Sequence, residues 1–326
     1  MTADVLCLRP EADFERVGAL PPSSLKVSYR APADADVPVL MKRAQALVIP
    51  AVGPKLSPSL FEGTTVKLVQ ITGAGLDRLD QPTLQRLGIP VANVPGGSNS
   101  AVAEYAVTAA SVLLRRFAWA DAEIRSGNYA SFRARMIAGN LAGLDGLLVG
   151  VVGLGIIGQT VAEAFHKRGC RLCYYDPVPR DLQAAQALGA QPLSLEELLQ
   201  TSDVVTLHVP LLPATHGLIG DRELQAMKSG AVLIQASRGG IVDEEVLARH
   251  LISGHLGGAA VDVYSSEPPA PGNPLLALDG DAARRLLFTP HIAGVTRQSS
   301  AFLYWSAWRN VERVLIAMEP PLNRAY

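Results

Sequence analysis

The chain has 326 residues, with 29 Lys and Arg against 30 Asp and Glu for a formal net charge of -1. That length suits two domains of roughly 100 to 200 residues each, and the balanced charge argues against nucleic acid or an anionic membrane as the main partner, leaving small-molecule chemistry. No apolar run reaches the roughly 18 residues that span a bilayer, and "MTADVLCLRPEAD" has neither a basic start nor an unbroken signal-peptide core, so a cytoplasmic protein is expected.

Short apolar runs open the chain: "VLCL" (5 to 8), "ALVIP" (46 to 50), "KLVQIT" (67 to 72) and "IPVANV" (89 to 94), separated by helix-like or loop stretches. Such alternation predicts a parallel sheet with crossover helices. "VAEYAVTAASVLLRRFAWADAEIRSG" (102 to 127) predicts one long helix, rich in Ala, Leu and Glu and closed by Gly127. A second series follows at 147 to 155, 171 to 176, 203 to 210, 231 to 237, 257 to 263 and 285 to 290, the six-strand count of a dinucleotide-binding domain. Residues 296 to 318 are again helical. The expected class is α/β: two Rossmann-like or flavodoxin-like parallel-sheet domains, with a cofactor domain (100–294) inserted into a substrate domain (1–99 plus 295–326).

Three cysteines are too few for a disulfide framework. Cys170 and Cys173 form a CxxC, but on the strand-like "CRLCYYD" a spacing of three sends the side chains to opposite faces, so no metal site is expected.

"VGVVGLGIIGQTVAEAFHKRG" places Gly153, Gly155 and Gly158 between a strand and a helix, and Asp176 follows at the end of the next strand. A lone GxGxxG is weak, because tight turns need glycine without any ligand; strand, helix and an acid about 20 residues on together predict dinucleotide binding. Gly153 permits the sharp turn, Gly155 lets a pyrophosphate approach the backbone, and Gly158 lets helix and strand pack closely. Asp176 is the expected acceptor for ribose hydroxyls and repels a 2′-phosphate, so NAD is expected over NADP, with Arg180 near enough to soften that preference.

Three later strand ends carry chemistry: "ASRGGIVDE" with Arg238, "DVYSSEPP" with Glu267, and "FTPHIAG" with His291. In this order after a GxGxxG, and with "ITGAGLDRLD", "VPGGSNSAVAEYAV" and "LHVPLLPATHGLI" at their places, the chain resembles the D-isomer-specific 2-hydroxyacid dehydrogenases along nearly its whole length. That family includes D-lactate, glycerate, hydroxypyruvate and phosphoglycerate enzymes. The resemblance implies that Arg238 binds the substrate carboxylate and polarises the C2 carbonyl, that His291 is the acid–base residue, and that Glu267 pairs with it. It also implies that Ile156 and Ile157, Val209 and Pro210, Ala236 to Arg238, and His291 to Gly294 flank the cofactor, that Asp262 meets the nicotinamide carboxamide, and that the two domains close over the substrate.

Those roles make physical sense. A guanidinium holds a carboxylate through two parallel hydrogen bonds, and histidine exchanges protons near neutrality. A carboxylate beside it favours imidazolium, so reduction is expected to tolerate neutral pH and oxidation to speed up at higher pH. The Gly73-Ala74-Gly75 turn offers backbone N–H groups to the same substrate carboxylate, although a plain tight turn explains such a stretch too. Asn99 and Glu104 suit hinge and pocket-wall support.

Departures from the family pattern carry information. Ile156 stands where an arginine or histidine is frequent, removing one phosphate contact, and Gln235 replaces a frequent asparagine. Ile71 occupies the place of an arginine common in phosphoglycerate dehydrogenases, which often carry an added regulatory domain as well; a small unphosphorylated acid is therefore favoured. Glu267 counts against the formate dehydrogenase branch, which has glutamine there, while phosphite oxidation stays open. Corepressor relatives keep the fold and the same three residues yet act as NAD-sensing binding proteins; the chain ends at Tyr326 without a disordered tail for recruitment, which favours the enzyme. His166, His250 and His255 lie outside any partnered motif, His208 suits a structural or ribose-side role, and Phe302, Tyr304, Trp305 and Trp308 suit core or interface packing. The resemblance implies a homodimer, with residues 117 to 144 as the contact region.

Overall fold

Runs of Val, Ile, Leu and Ala without polar alternation can bury both faces only in a parallel sheet covered on each side, and the computed structural model, which describes residues 3–178 and 182–326, uses them this way. It divides into two compact units, residues up to Ser98 together with Val295–Tyr326, and Asn99–Gly294.

The first unit holds a five-stranded parallel sheet of β1 (Ala3–Cys7), β2 (Leu25–Tyr29), β3 (Ala46–Ile49), β4 (Leu68–Ile71) and β5 (Val91–Ala92), in the order β2-β1-β3-β4-β5. One face packs on the helix Arg297–Leu315 through Tyr304 and Trp308, with Phe14 at 4.9 Å from the Trp308 ring and the indole N–H donating to the Ala19 carbonyl at 3.0 Å. Trp308 is fully buried, so truncation to alanine removes about 3–5 kcal/mol. Phe302 and Trp305 on the same helix are exposed.

The second unit holds seven parallel strands, β6 (Leu148–Val152), β7 (Arg171–Tyr175), β8 (Gln191–Pro192), β9 (Val204–Leu207), β10 (Val232–Gln235), β11 (Gly258–Val261) and β12 (Leu286–Phe288), in the order β12-β11-β10-β9-β6-β7-β8. Both units are Rossmann-like α/β sheets, as the alternating pattern predicts. The helix Asn99–Leu114 lays Ala103, Ala106, Ala109 and Ala110 inward, small side chains that let it approach the sheet and the helix Ile156–His166. No helix among the described residues is long and apolar enough to cross a membrane.

Several elements differ from the sequence expectation. The helix predicted over 102 to 127 is two helices, Asn99–Leu114 and Phe117–Arg125, because Arg116 adopts the left-handed region (φ 55°) and donates to the Gly257 carbonyl. β2 is not among the predicted strands: "LKVSY" lies at a sheet edge with one buried residue, so it lacks the apolar density of a central strand. β8, only two exposed residues at the other edge, makes the second sheet seven strands instead of six. Cys170 precedes β7 instead of lying on it; it and Cys173 are buried in separate core clusters.

Candidate functional site

The turn between β6 and the helix Ile156–His166 uses its three glycines differently. Gly153 sits at φ +93°, and a β-carbon there would lie 2.8 Å from the His208 carbonyl; one on Gly158 would lie 1.9 Å from the Gly153 oxygen. Chain packing alone therefore demands those two. Gly155 has an ordinary extended conformation (φ -70°, ψ -169°), and a β-carbon on it would meet nothing within 4 Å. The fold does not require this glycine; it keeps open space in front of a helix start that has no side-chain cap. First-turn N–H groups lack helical partners and favour an anion, so the turn fits the pyrophosphate of a dinucleotide. Ile156 is exposed and Ile157 partly so; Val209, two residues past β9, is buried and Pro210 exposed.

Asp176, just past β7, accepts from the Leu154 N–H at 2.8 Å and the Val178 N–H at 2.9 Å, one on each oxygen. It thus braces the glycine turn and is oriented by it. Arg180 lies outside the described residues.

Arg238, Glu267 and His291 lie in loops that leave the carboxyl ends of β10, β11 and β12, three neighbouring strands of one sheet. Gln235 shapes the first loop: its amide donates to the Arg238 carbonyl at 2.8 Å and accepts from the Ser237 hydroxyl at 2.8 Å. Glutamine at this place therefore has a defined job, pinning Ala236 to Arg238, and the partly exposed Arg238 guanidinium donates to the Ser237 carbonyl at 2.7 Å.

The second and third loops are joined by carboxylates. Glu267 meets the His291 Nδ1 at 2.8 Å and 3.1 Å through its two oxygens and accepts from the Tyr264 N–H at 3.2 Å. His291 is a non-glycine residue at φ 54°. The buried Asp262 holds it there: its Oδ1 accepts from Ile292 N–H (2.8 Å) and the Thr289 hydroxyl (2.6 Å), its Oδ2 from Ala293 N–H (2.9 Å), and its carbonyl from His291 N–H (2.8 Å). Gly294 follows, partly exposed. Tyr105 hydrogen-bonds Thr289 at 2.8 Å, so a helix residue 184 positions away supports the same loop. Sequence reasoning missed Tyr105, Thr289 and the bracing role of Asp262, for which only the nearness of Thr289 to His291 gave a hint.

In the first unit, the Gly73-Ala74-Gly75 turn follows β4. The Gly73 carbonyl accepts from Val94 N–H at 2.8 Å and that of Ala74 from the Asn93 amide at 2.7 Å, while no described residue accepts from the three N–H groups. The turn has anion-binding donors to spare. The loop after β3 packs on it, with Ala51 where a Gly73 β-carbon would fall (2.8 Å). That loop is clamped by the buried Arg78, which donates to the carbonyls of Pro54 (2.9 Å) and Pro50 (3.0 Å). Ile71 is buried in the core cluster beneath.

Of the five other histidines, His166 and His216 are exposed and three are held by hydrogen bonds. His250 meets Asp221 at 3.1 Å and His255 the Leu224 carbonyl at 3.1 Å. His208 hydrogen-bonds Thr206 at 2.8 Å, and burial pushes it down to about 4, so it stays neutral. Asn99 carries a buried side-chain oxygen with no partner among the described residues, and Glu104 is exposed. No group of three or more His, Cys, Asp or Glu among the described residues is arranged to hold a metal ion.

Residues 107–293 match the family model for the NAD binding domain of D-isomer specific 2-hydroxyacid dehydrogenase. The chain is 36% identical over 234 residues to a D-3-phosphoglycerate dehydrogenase of Archaeoglobus fulgidus, an alignment covering 72% of this chain but 42% of that protein. It is 33% identical over 264 residues to a glyoxylate reductase of Aeropyrum pernix, covering 80% of this chain and 77% of the relative. The chain thus spans less than half of the first relative and about three quarters of the second. The solved structure of the TT0316 protein from Thermus thermophilus superposes with a TM-score of 0.84 at 31% identity, covering 99% of this chain and 100% of that one.

Proposed function

The chain belongs to the D-isomer-specific 2-hydroxyacid dehydrogenase family, and from this we propose that it is an NAD-dependent oxidoreductase interconverting a D-2-hydroxy acid and its 2-oxo acid. The observation that carries the reading is the His291–Glu267 pair: Nδ1 is held by the carboxylate, which leaves Nε2, with no partner among the described residues, for the substrate oxygen.

Bound NAD supplies or accepts the hydride. The residues do the rest. Arg238 grips the substrate carboxylate and draws charge from the C2 carbonyl, fixing the orientation of C2. During oxidation His291 Nε2 takes the hydroxyl proton, and Glu267 stabilises the imidazolium that results; during reduction the same atom returns the proton to the oxygen. The spare N–H groups of Gly73 to Gly75 suit the substrate carboxylate. For the cofactor, the open space at Gly155 and the uncapped helix start suit the pyrophosphate, Asp176 selects NAD over NADP, and Asp262 together with the 236–238 and 291–294 segments lines the nicotinamide end.

A small unphosphorylated acid is the proposed substrate. Ile71, buried and apolar, offers no charge to a phosphate, and a relative matched over about three quarters of its length is a glyoxylate reductase. We also propose a cytoplasmic homodimer, supported by the exposed Phe117, Ile124, Tyr129 and Ile137 within 117–144; a monomer by size-exclusion chromatography with light scattering would reject the dimer. The deciding experiment is NADH oxidation against glyoxylate, hydroxypyruvate, pyruvate, phenylpyruvate and phosphohydroxypyruvate, with NADPH in parallel. Turnover of one small acid with NADH is expected. NADH binding without turnover of any member would overturn the reaction.

A further inference from the structure

Glu244 begins the helix Glu244–Ile252, a place where an acid ordinarily needs no explanation beyond the helix dipole. Its neighbours already serve that end. Asp243 caps the helix by accepting from the N–H groups of Glu245 and Val246, and Glu245 is exposed to solvent. Glu244 turns elsewhere: its Oε1 accepts from the Ser265 N–H at 2.6 Å and the Ser265 hydroxyl at 2.8 Å, and its Oε2 accepts from the Asn273 amide.

Those contacts grip both ends of one irregular segment, Ser265 to Asn273. Asn273 is buried, and its other side-chain atom accepts from the Leu275 N–H at 3.0 Å, so the far end is fixed in turn. Glu267 lies on the gripped segment, two residues past Ser265. The near end is also pressed by the Arg238 loop, since a β-carbon on Gly239 would fall 1.8 Å from the Tyr264 carbonyl. A loop with no regular backbone ladder has only the Tyr264 N–H of its own, at 3.2 Å, to fix where Glu267 points, whereas three donors converging on the Glu244 carboxylate supply charge-assisted bonds that fix the whole segment.

We propose that Glu244 is a positioning residue for the proton-transfer pair, fixing the Ser265–Asn273 segment so that the Glu267 carboxylate meets His291 Nδ1. This rests on the dehydrogenase reading given above, but its placement claim is testable without turnover. In protein labelled with ¹⁵N at histidine, the imidazole ¹⁵N signals of His291, assigned by their loss in His291→Asn, report the Glu267 contact. Glu244→Ala is expected to move them towards their positions in Glu267→Gln, although Glu267 and His291 are both intact. Unmoved signals overturn the proposal.

Kinetics supply the second arm. Glu244→Ala is expected to lower kcat by roughly 10–100-fold, the cost of a misplacement near 1 Å, with KM for the 2-oxo acid and NADH affinity changed less than about threefold. In the Glu267→Gln background the same substitution should add less than about twofold, because both act through one carboxylate. Glu244→Gln keeps an acceptor for Ser265 but loses the acceptor for Asn273, so it should fall between wild type and Glu244→Ala. Independent, multiplying effects in the double variant would refute the shared route. If the His291 signals move but Glu267→Gln leaves kcat unchanged, the positioning holds and the acid–base reading of the pair fails.

Discussion

Replacing Gly155 by alanine separates a cofactor seat from a mere tight turn. The backbone at Gly155 is one any residue adopts, and the added methyl meets no atom within 4 Å. Folding should therefore gain, because alanine restricts the unfolded chain: about 0.4–1 kcal/mol at a compatible position, or a Tm rise of roughly 1–3 °C for a domain of this size. Cofactor binding should suffer. The methyl fills the space through which a pyrophosphate reaches the helix N–H groups, and losing one or two such charged hydrogen bonds, at about 1.5–3 kcal/mol each, weakens Kd at least tenfold. Gly158→Ala should behave in the opposite order, its carbon placed 1.9 Å from the Gly153 oxygen, so the fold itself is damaged and Tm falls. NADH fluorescence titration beside calorimetric melting of both variants gives the answer. An unchanged Kd in Gly155→Ala, or a Tm loss matching that of Gly158→Ala, would refute the assignment of this space to the cofactor.

Arg238→Ala should lower kcat/KM by roughly 10²–10³-fold, the usual cost of removing one group that stabilises developing charge, with NADH Kd nearly unchanged; Arg238→Lys should recover little because it lacks the planar fork. Unimpaired turnover in Arg238→Ala would remove the residue from the mechanism. Asp262→Asn is nearly isosteric, yet one side-chain oxygen cannot serve donors on both former carboxylate oxygens, leaving a buried N–H unpaired at about 1–3 kcal/mol; a lower Tm with displaced His291 ¹⁵N signals is expected, and a wild-type melt would contradict it. His208, pushed down to about 4 by burial, takes its proton first in the unfolded chain. The native state keeps its full margin above about pH 6.5 and loses on the order of 2–3 kcal/mol as the pH falls toward 4. Melting across that window should show His208→Gln losing less than wild type, and parallel losses would refute the link.

What the sequence made legible depended on the range of the forces involved. The glycine turn was readable because its demands are local: strand, sharp bend and helix start are written in a dozen residues. The central strands were readable because burial on both faces leaves only apolar choices. "LKVSY" was not, since an edge strand is half solvated and its residues look like any mixed stretch. The break at Arg116 was not readable either, because its donor–acceptor bond goes to Gly257, 141 residues along the chain, and the Ala- and Leu-rich sequence around it favours continuous helix.

The same distinction applies within the candidate site. Arg238, Glu267 and His291 stand out because their motifs follow the glycine turn in the order the family resemblance implies, at strand carboxyl ends, where ligands of such sheets bind. Their supports do not stand out, since most of them act through bonds to distant parts of the chain: Gln235 within its own loop, but Glu244 across to Ser265 and Asn273, and Tyr105 through Thr289 to Asp262. His291 shows why supports are needed at all. A left-handed backbone at a non-glycine residue costs on the order of 1–3 kcal/mol, and nothing in "FTPHIAG" itself offsets it. Asp262 does, by taking the N–H groups of the next two residues on its two oxygens. The histidine's direction is therefore set from the neighbouring strand, by a carboxylate just past the end of β11.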